Sequence, residues 1–203
     1  QYEYVDSPLS TINRLKEFVS ISNECNINDI LLISGSRRRK SIDSIYALSL
    51  LRSSKQFLET DTSFGIAFNP YLPKSEMQEE KIRLQNKLST GLISSIWLQF
   101  GTDIVRLKNE INYLKEQFES SGFDRTGFHK PKLVGSIFVP SKQFLARFKF
   151  RPWKGVYCSN DFLDSVEYAN QYIQSILKIY HDNNIGIVIE SDILSPNQLI
   201  QFS

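Results

Sequence analysis

The sequence predicts an α/β fold, a (β/α)-type barrel lacking its first two βα units, on three observations. Short apolar runs recur along the chain, helical periodicities fall between them, and every connection is long enough to hold a helix. Repeated βα units with apolar strands give a parallel sheet covered by helices.

In chain order, Tyr2 to Val5 is a β-prone run closed by Asp6-Ser7-Pro8, and Pro8 suits the first position of a helix carried by Leu9, Ile12, Leu15 and Val19. Asp29 to Ile33 is a continuous apolar run of the buried parallel kind, stopped by Ser34-Gly35-Ser36. Ile45, Leu48, Leu51 and Phe57 mark a helix before the strand Phe64 to Phe68, which Asn69-Pro70 ends. Glu76 to Leu88 is a helix with Gly91 as its C-cap. Ser95 to Phe100 is a strand, and Ile104, Leu107, Ile111, Leu114 and Phe118 advance by three and four over Asp103 to Phe118. Lys132 to Val139 is a strand stopped by Pro140, followed by helices over Ser141 to Phe150 and Asp161 to Tyr180 and a buried strand over Ile185 to Glu190. The aromatic stretch Phe144, Phe148, Phe150, Trp153 and Tyr157 reads as helix packing on the sheet, with an exposed partner surface as the alternative.

Two parallel architectures compete. A doubly wound sheet usually carries a Gly-rich phosphate loop after its first strand, and Asp6-Ser7-Pro8 is not one. A complete barrel has eight strands over about 250 residues. Six strands in 203 residues fit one partial barrel domain over residues 1–203. In either case functional groups belong just after the carboxyl ends of the strands.

Composition narrows the function. With 24 basic and 22 acidic side chains the net charge is +2, which excludes a polybasic nucleic-acid binder on charge alone. No apolar run is long enough for a membrane span. Two cysteines, Cys25 and Cys158, make neither a disulfide framework nor a thiolate metal site, so the expected home is a reducing interior, cytoplasm or mitochondrial matrix. His129 and His181 read as surface residues, without metal-site spacing or a nucleophilic triad. At the strand ends, Gln99 either offers an amide that both donates and accepts toward a heteroaromatic ring or is a strand-end polar residue capped by water. The run Arg37-Arg38-Arg39-Lys40 is either a phosphate holder or a solvated loop.

The succession resembles methylenetetrahydrofolate reductase, a flavin-dependent barrel, from its third to its eighth strand. INDILLISGS (Ile27 to Ser36) is similar to the fourth strand and the Arg-Gly-Asp loop behind it. GIAFNPYLP and EEKIRLQNKLSTG (Gly65 to Gly91) resemble the Ala-Tyr-Pro-Glu strand end and the following helix. SIWLQFGTD (Ser95 to Asp103) resembles the Thr-Gln-Phe-Phe-Phe-Asp strand, KLVGSIFVPSKQFLARF (Lys132 to Phe148) the Gly-Ile-x-Pro strand, and GVYCSNDFL (Gly155 to Leu163) the Val-Pro segment before the last helix.

The resemblance implies reduction of methylene-tetrahydrofolate by a nicotinamide donor, NAD(P)H, through FAD, with no metal. It puts Gln99 on the flavin and folate rings as the catalytic candidate, and Lys87, Ser36, Phe68, Asn69, Arg37 and Arg38 around the cofactor. Ser36 stands at the family's aspartate and Ser34 at its arginine, Phe68 replaces a tyrosine, and Asn69-Pro70 replaces Pro-Glu. The family's acid, a glutamate on its first strand, has no counterpart here. Two readings of these gaps stay open: upstream sequence or another segment supplies the missing strands and acid, or the barrel kept the fold without the reaction and serves as an assembly subunit, its open edge covered by a protein partner.

Overall fold

The computed structural model describes residues 8–27, 29–33, 43–53, 62–120 and 130–190. Its strands are β1 (Asp29–Leu32), β2 (Ser63–Phe68), β3 (Ile93–Leu98), β4 (Lys132–Ile137) and β5 (Gly186–Ile189). They form one sheet in the order β1-β2-β3-β4-β5, with β1 parallel to β2 and β4 parallel to β5. Strand order follows chain order without the reversal that defines a doubly wound sheet, at least among the described strands. The helices are α1 (Pro8–Glu24), α2 (Ser44–Ser53), α3 (Lys74–Leu88), α4 (Ile104–Ser120), α5 (Lys142–Phe150), α6 (Asn160–Asp164) and α7 (Val166–Asp182). The predicted strand Tyr2 to Val5 lies outside the described residues.

The chain divides into two compact units, residues 1–67 with 78–96 and residues 68–77 with 97–203. In the first, Leu15 and Val19 of α1, Leu48 and Leu51 of α2, Phe64 and Ile66 of β2 and Leu84 of α3 are buried. β1 pairs with β2 from Asp29↔Ser63 to Leu32↔Ile66, and the Asp29 carboxylate accepts a hydrogen bond from the Ser63 hydroxyl. In the second, Leu107, Ile111, Leu114 and Phe118 of α4 and Ile173, Ile176 and Tyr180 of α7 form the apolar stripes, enclosed with Leu98, Phe100 and Ile137.

The helix ends explain themselves locally. α1 closes with Asn26 at φ 57°, the Ile27 N–H donating to the Ser22 carbonyl at 2.8 Å and Asn26 N–H to Asn23 at 3.0 Å. α7 closes identically, with Asn184 at φ 53°, Ile185 N–H to Tyr180 at 2.9 Å and Asn184 N–H to His181 at 3.1 Å. Both are Schellman turns with asparagine in the left-handed position, and both lead into a strand. Gly91, at φ 72°, takes the expected place behind α3.

Three expectations are corrected. The single helix over Asp161 to Tyr180 is two, because Ser165 is extended (φ −148°, ψ 159°) and its hydroxyl caps α7 by accepting from the Tyr168 N–H. β3 ends at Leu98, two residues early, so Gln99 stands in the loop beyond it. β1 and β5 are not enclosed strands: Leu31 is 38% and Ile187 48% exposed, since each ends the strand order with a described neighbour on one side only.

Candidate functional site

In the second unit the carboxyl ends of β2 and β3 are stitched together. The Gln99 N–H donates to the Phe68 carbonyl at 2.9 Å, holding the residue after β3 beside the end of β2. Asn69 then turns the chain: its Oδ1 accepts from the Tyr71 N–H at 3.0 Å and its Nδ2 donates to the Gly155 carbonyl at 2.8 Å. The segment after α5 returns to the same place, since Gly101 bridges Tyr157, Thr102 N–H donates to the Tyr157 carbonyl at 2.9 Å, and Thr102 Oγ1 accepts from Ser159 N–H at 2.8 Å.

Around this frame lie groups for which the sequence predicts no place in a site. Asp103 caps α4 by accepting from the Arg106 N–H at 3.0 Å and pairs with the guanidinium at 3.1 Å. Arg106 also donates to the Tyr71 carbonyl at 3.1 Å and lies 5.9 Å from the centre of the half-exposed Tyr157 ring. An aspartate two residues past a glycine at a strand end, three before an arginine, is the local signal that announces this cap. The Tyr71 ring covers Gly101, and its hydroxyl is buried without a hydrogen-bond partner.

Of the residues expected in a site, the structure brings Gln99, Phe68 and Asn69 together. Gln99 is half-buried, and its side-chain amide makes no hydrogen bond to a described residue. Phe68 is 1% exposed, and the Asn69 amide is occupied by the turn and Gly155. Lys87 belongs to the first unit, on the last turn of α3, 7% exposed, and burial holds its ammonium below the usual lysine range. Ser36, Arg37 and Arg38 lie outside the described residues.

Other chemistry is limited. Burial pushes the Cys158 thiol up to about 12, so it carries no thiolate at neutral pH. The His181 side chain is 89% exposed at the end of α7. Among the described residues no cluster of three or more His, Cys, Asp or Glu is placed to hold a metal ion, and no helix is long and apolar enough to cross a membrane. What remains is an unspent, half-buried amide just past a strand end, with an arginine on the first turn of α4 and an exposed tyrosine on the segment after α5.

No known protein family and no curated protein matches the sequence. Among solved structures, this chain is similar in fold to an uncharacterized protein from Clostridium thermocellum that binds two copies of 5-methyl-5,6,7,8-tetrahydrofolic acid, at 13% identity and a TM-score of 0.52. The likeness covers 84% of this chain and 59% of the other, so this chain spans less than two thirds of that neighbour, and at this identity what is shared is the fold alone.

Proposed function

We propose that the chain is a folate-binding domain, built on the third to eighth units of a methylenetetrahydrofolate reductase-like barrel. The observation that carries the reading is Gln99. Its backbone is pinned to Phe68 while its amide is left unspent just past β3, where strand-end groups meet ligands in parallel α/β folds. A pterin ring presents adjacent donors and acceptors, which one amide can match bidentately. The sequential strand order and the folate bound by the neighbour of similar fold support the same reading.

The finer form is flavin-dependent reduction with NAD(P)H. The described cofactor candidates do not fit a flavin by themselves. Lys87 is 7% and Phe68 1% exposed, and the Asn69 amide is already engaged. A flavin would depend on Ser36, Arg37 and Arg38 for its hold.

Calorimetric titration with 5-methyltetrahydrofolate is the test. Binding is expected, and Gln99→Leu weakens it about tenfold or more through lost and unmatched hydrogen bonds. Absence of binding, or binding indifferent to Gln99→Leu, overturns the reading. FAD added to the same sample decides the finer form by its visible bands remaining with the protein after gel filtration.

A second reading has its own observation. Leu31 and Ile33 in the first unit are 38% and 62% exposed, and Ile187 in the second is 48% exposed. Apolar side chains left open at parallel strands suit an assembly subunit covered by a protein partner. Failure to bind folate, together with a stable co-purifying partner, favours it.

A further inference from the structure

α5 buries Leu145 and Phe148 and half-buries Phe144, so its inner face is complete without its last residue. Phe150 lies on the outer face, 90% exposed, and makes no ring contact with a described residue. Three residues on, Trp153 is 37% exposed with its ring held at 5.3 Å from Phe138, 5.7 Å from Phe144 and 5.9 Å from Phe148. Between Lys142 and Tyr157 the chain carries five cations, Lys142, Arg147, Lys149, Arg151 and Lys154, and no carboxylate, although the whole chain is only +2. Lys149 reaches Asp164 at 3.7 Å, and the other four form no ion pair with a described residue.

We propose that the end of α5 and the segment behind it, exposing Phe150 and Trp153 among Arg147, Lys149, Arg151 and Lys154, docks on an anionic membrane surface. Nothing in the packing of α5 requires an apolar ring at position 150, and exposing one among cations opposes solubility without return in the free protein. A bilayer interface supplies that return. Cations lie at the level of lipid phosphates, and aromatic rings enter the boundary beneath them. The Trp153 ring is pre-set by its three neighbours, so little side-chain freedom is lost on docking. A single-stranded nucleic acid would use stacked, face-open rings, whereas Trp153 stands edge-to-face with three rings of the cluster and Phe150 projects from a helix end without a stacking partner among the described residues.

The test is flotation of the full chain with vesicles of phosphatidylcholine, alone or with about one third phosphatidylglycerol. The expected result is binding only to the anionic vesicles, weakening as salt shortens the screening length. Phe150→Ala lowers the partition about tenfold, and Arg151→Glu with Lys154→Glu lowers it further. Both variants change only exposed side chains, so circular dichroism stays that of the parent, and folate titration is untouched, which keeps this outcome separate from that of the proposed function. Failure to float with anionic vesicles at low salt overturns the proposal, as does flotation unaffected by Phe150→Ala. Capture of a single-stranded oligonucleotide without flotation, or a dimer in light scattering that Phe150→Ala dissolves, replaces the lipid with that partner.

Discussion

Tyr71 holds a position that only its ring explains. The ring covers Gly101, where any Cβ would collide with it, while its hydroxyl is enclosed with no hydrogen-bond partner. An unpaired buried hydroxyl is a standing cost, so Tyr71→Phe is expected to leave stability unchanged or raise it by about 1 kcal/mol. Gly101→Ala forces the ring out of a packed interior and costs about 2 kcal/mol. Denaturant midpoints of the two variants read both effects, and the reverse order would refute the packing argument. Neither role is legible in the sequence, because Tyr71 and Gly101 meet across the strand-end frame from thirty residues apart. Gln99 is legible because a lone amide inside an apolar run is conspicuous where it stands, although the run carries the predicted strand two residues past the end of β3.

At the scale of elements, the helices declare themselves best where period and punctuation agree. α4 is drawn by five apolar residues at three- and four-residue steps, and Gly91 stops α3 where a left-handed residue is needed. The break between α6 and α7 escapes the same reading. Phe162, Leu163, Val166, Ala169 and Ile173 carry the helical rhythm straight across Ser165, and only the serine's own cap interrupts it. Asparagines 26 and 184 are equally quiet in the sequence, yet each closes a helix and aims the chain into a strand. Asn184→Ala is expected to cost about 1 kcal/mol through the left-handed backbone, and Asn184→Gly to cost nothing or stabilise slightly. Thermal unfolding of the two variants distinguishes them, and equal losses would deny the conformational cause.

Over the molecule as a whole, the titrating groups of the two units oppose each other. In the second unit burial raises Cys158 from 9.0 to about 12 and holds Tyr71 and Tyr180 above their ordinary 10.0, with Tyr180 adding to the effect on Tyr71 and Glu190 to that on Tyr180. The folded state keeps these protons after the unfolded chain has released them. The stability they contribute is whole below about pH 9 and is lost as pH rises through the folded values. Lys87 in the first unit has the opposite sign, since burial makes the folded state shed its proton early and stability gains with pH up to the unfolded value of 10.5. Trp97 and Trp153 both lie in the second unit, so tryptophan emission follows that unit. Its denaturation midpoint is expected to fall from about pH 9 upward, and Cys158→Ala is expected to delay the fall to about pH 10, where the tyrosines take over. A midpoint flat to pH 11 would contradict these burials. The parallel α/β class and the sequential order of units are legible in the alternation of strands and helices. The division into two units is not, because no linker, charge run or glycine cluster marks positions 67 or 97.

The two thiols give this division a practical edge. Cys25 sits exposed beside the turn that ends α1, in the first unit, while Cys158 in the second is half-buried and held protonated. Alkylating reagents act on thiolate within reach of solvent, so at neutral pH a dye or spin label goes to the first unit and leaves the second unmarked. The native chain thus comes with one selective handle already in place, in the unit that carries neither of its two tryptophans, and the first unit can be followed in a colour that the second does not share.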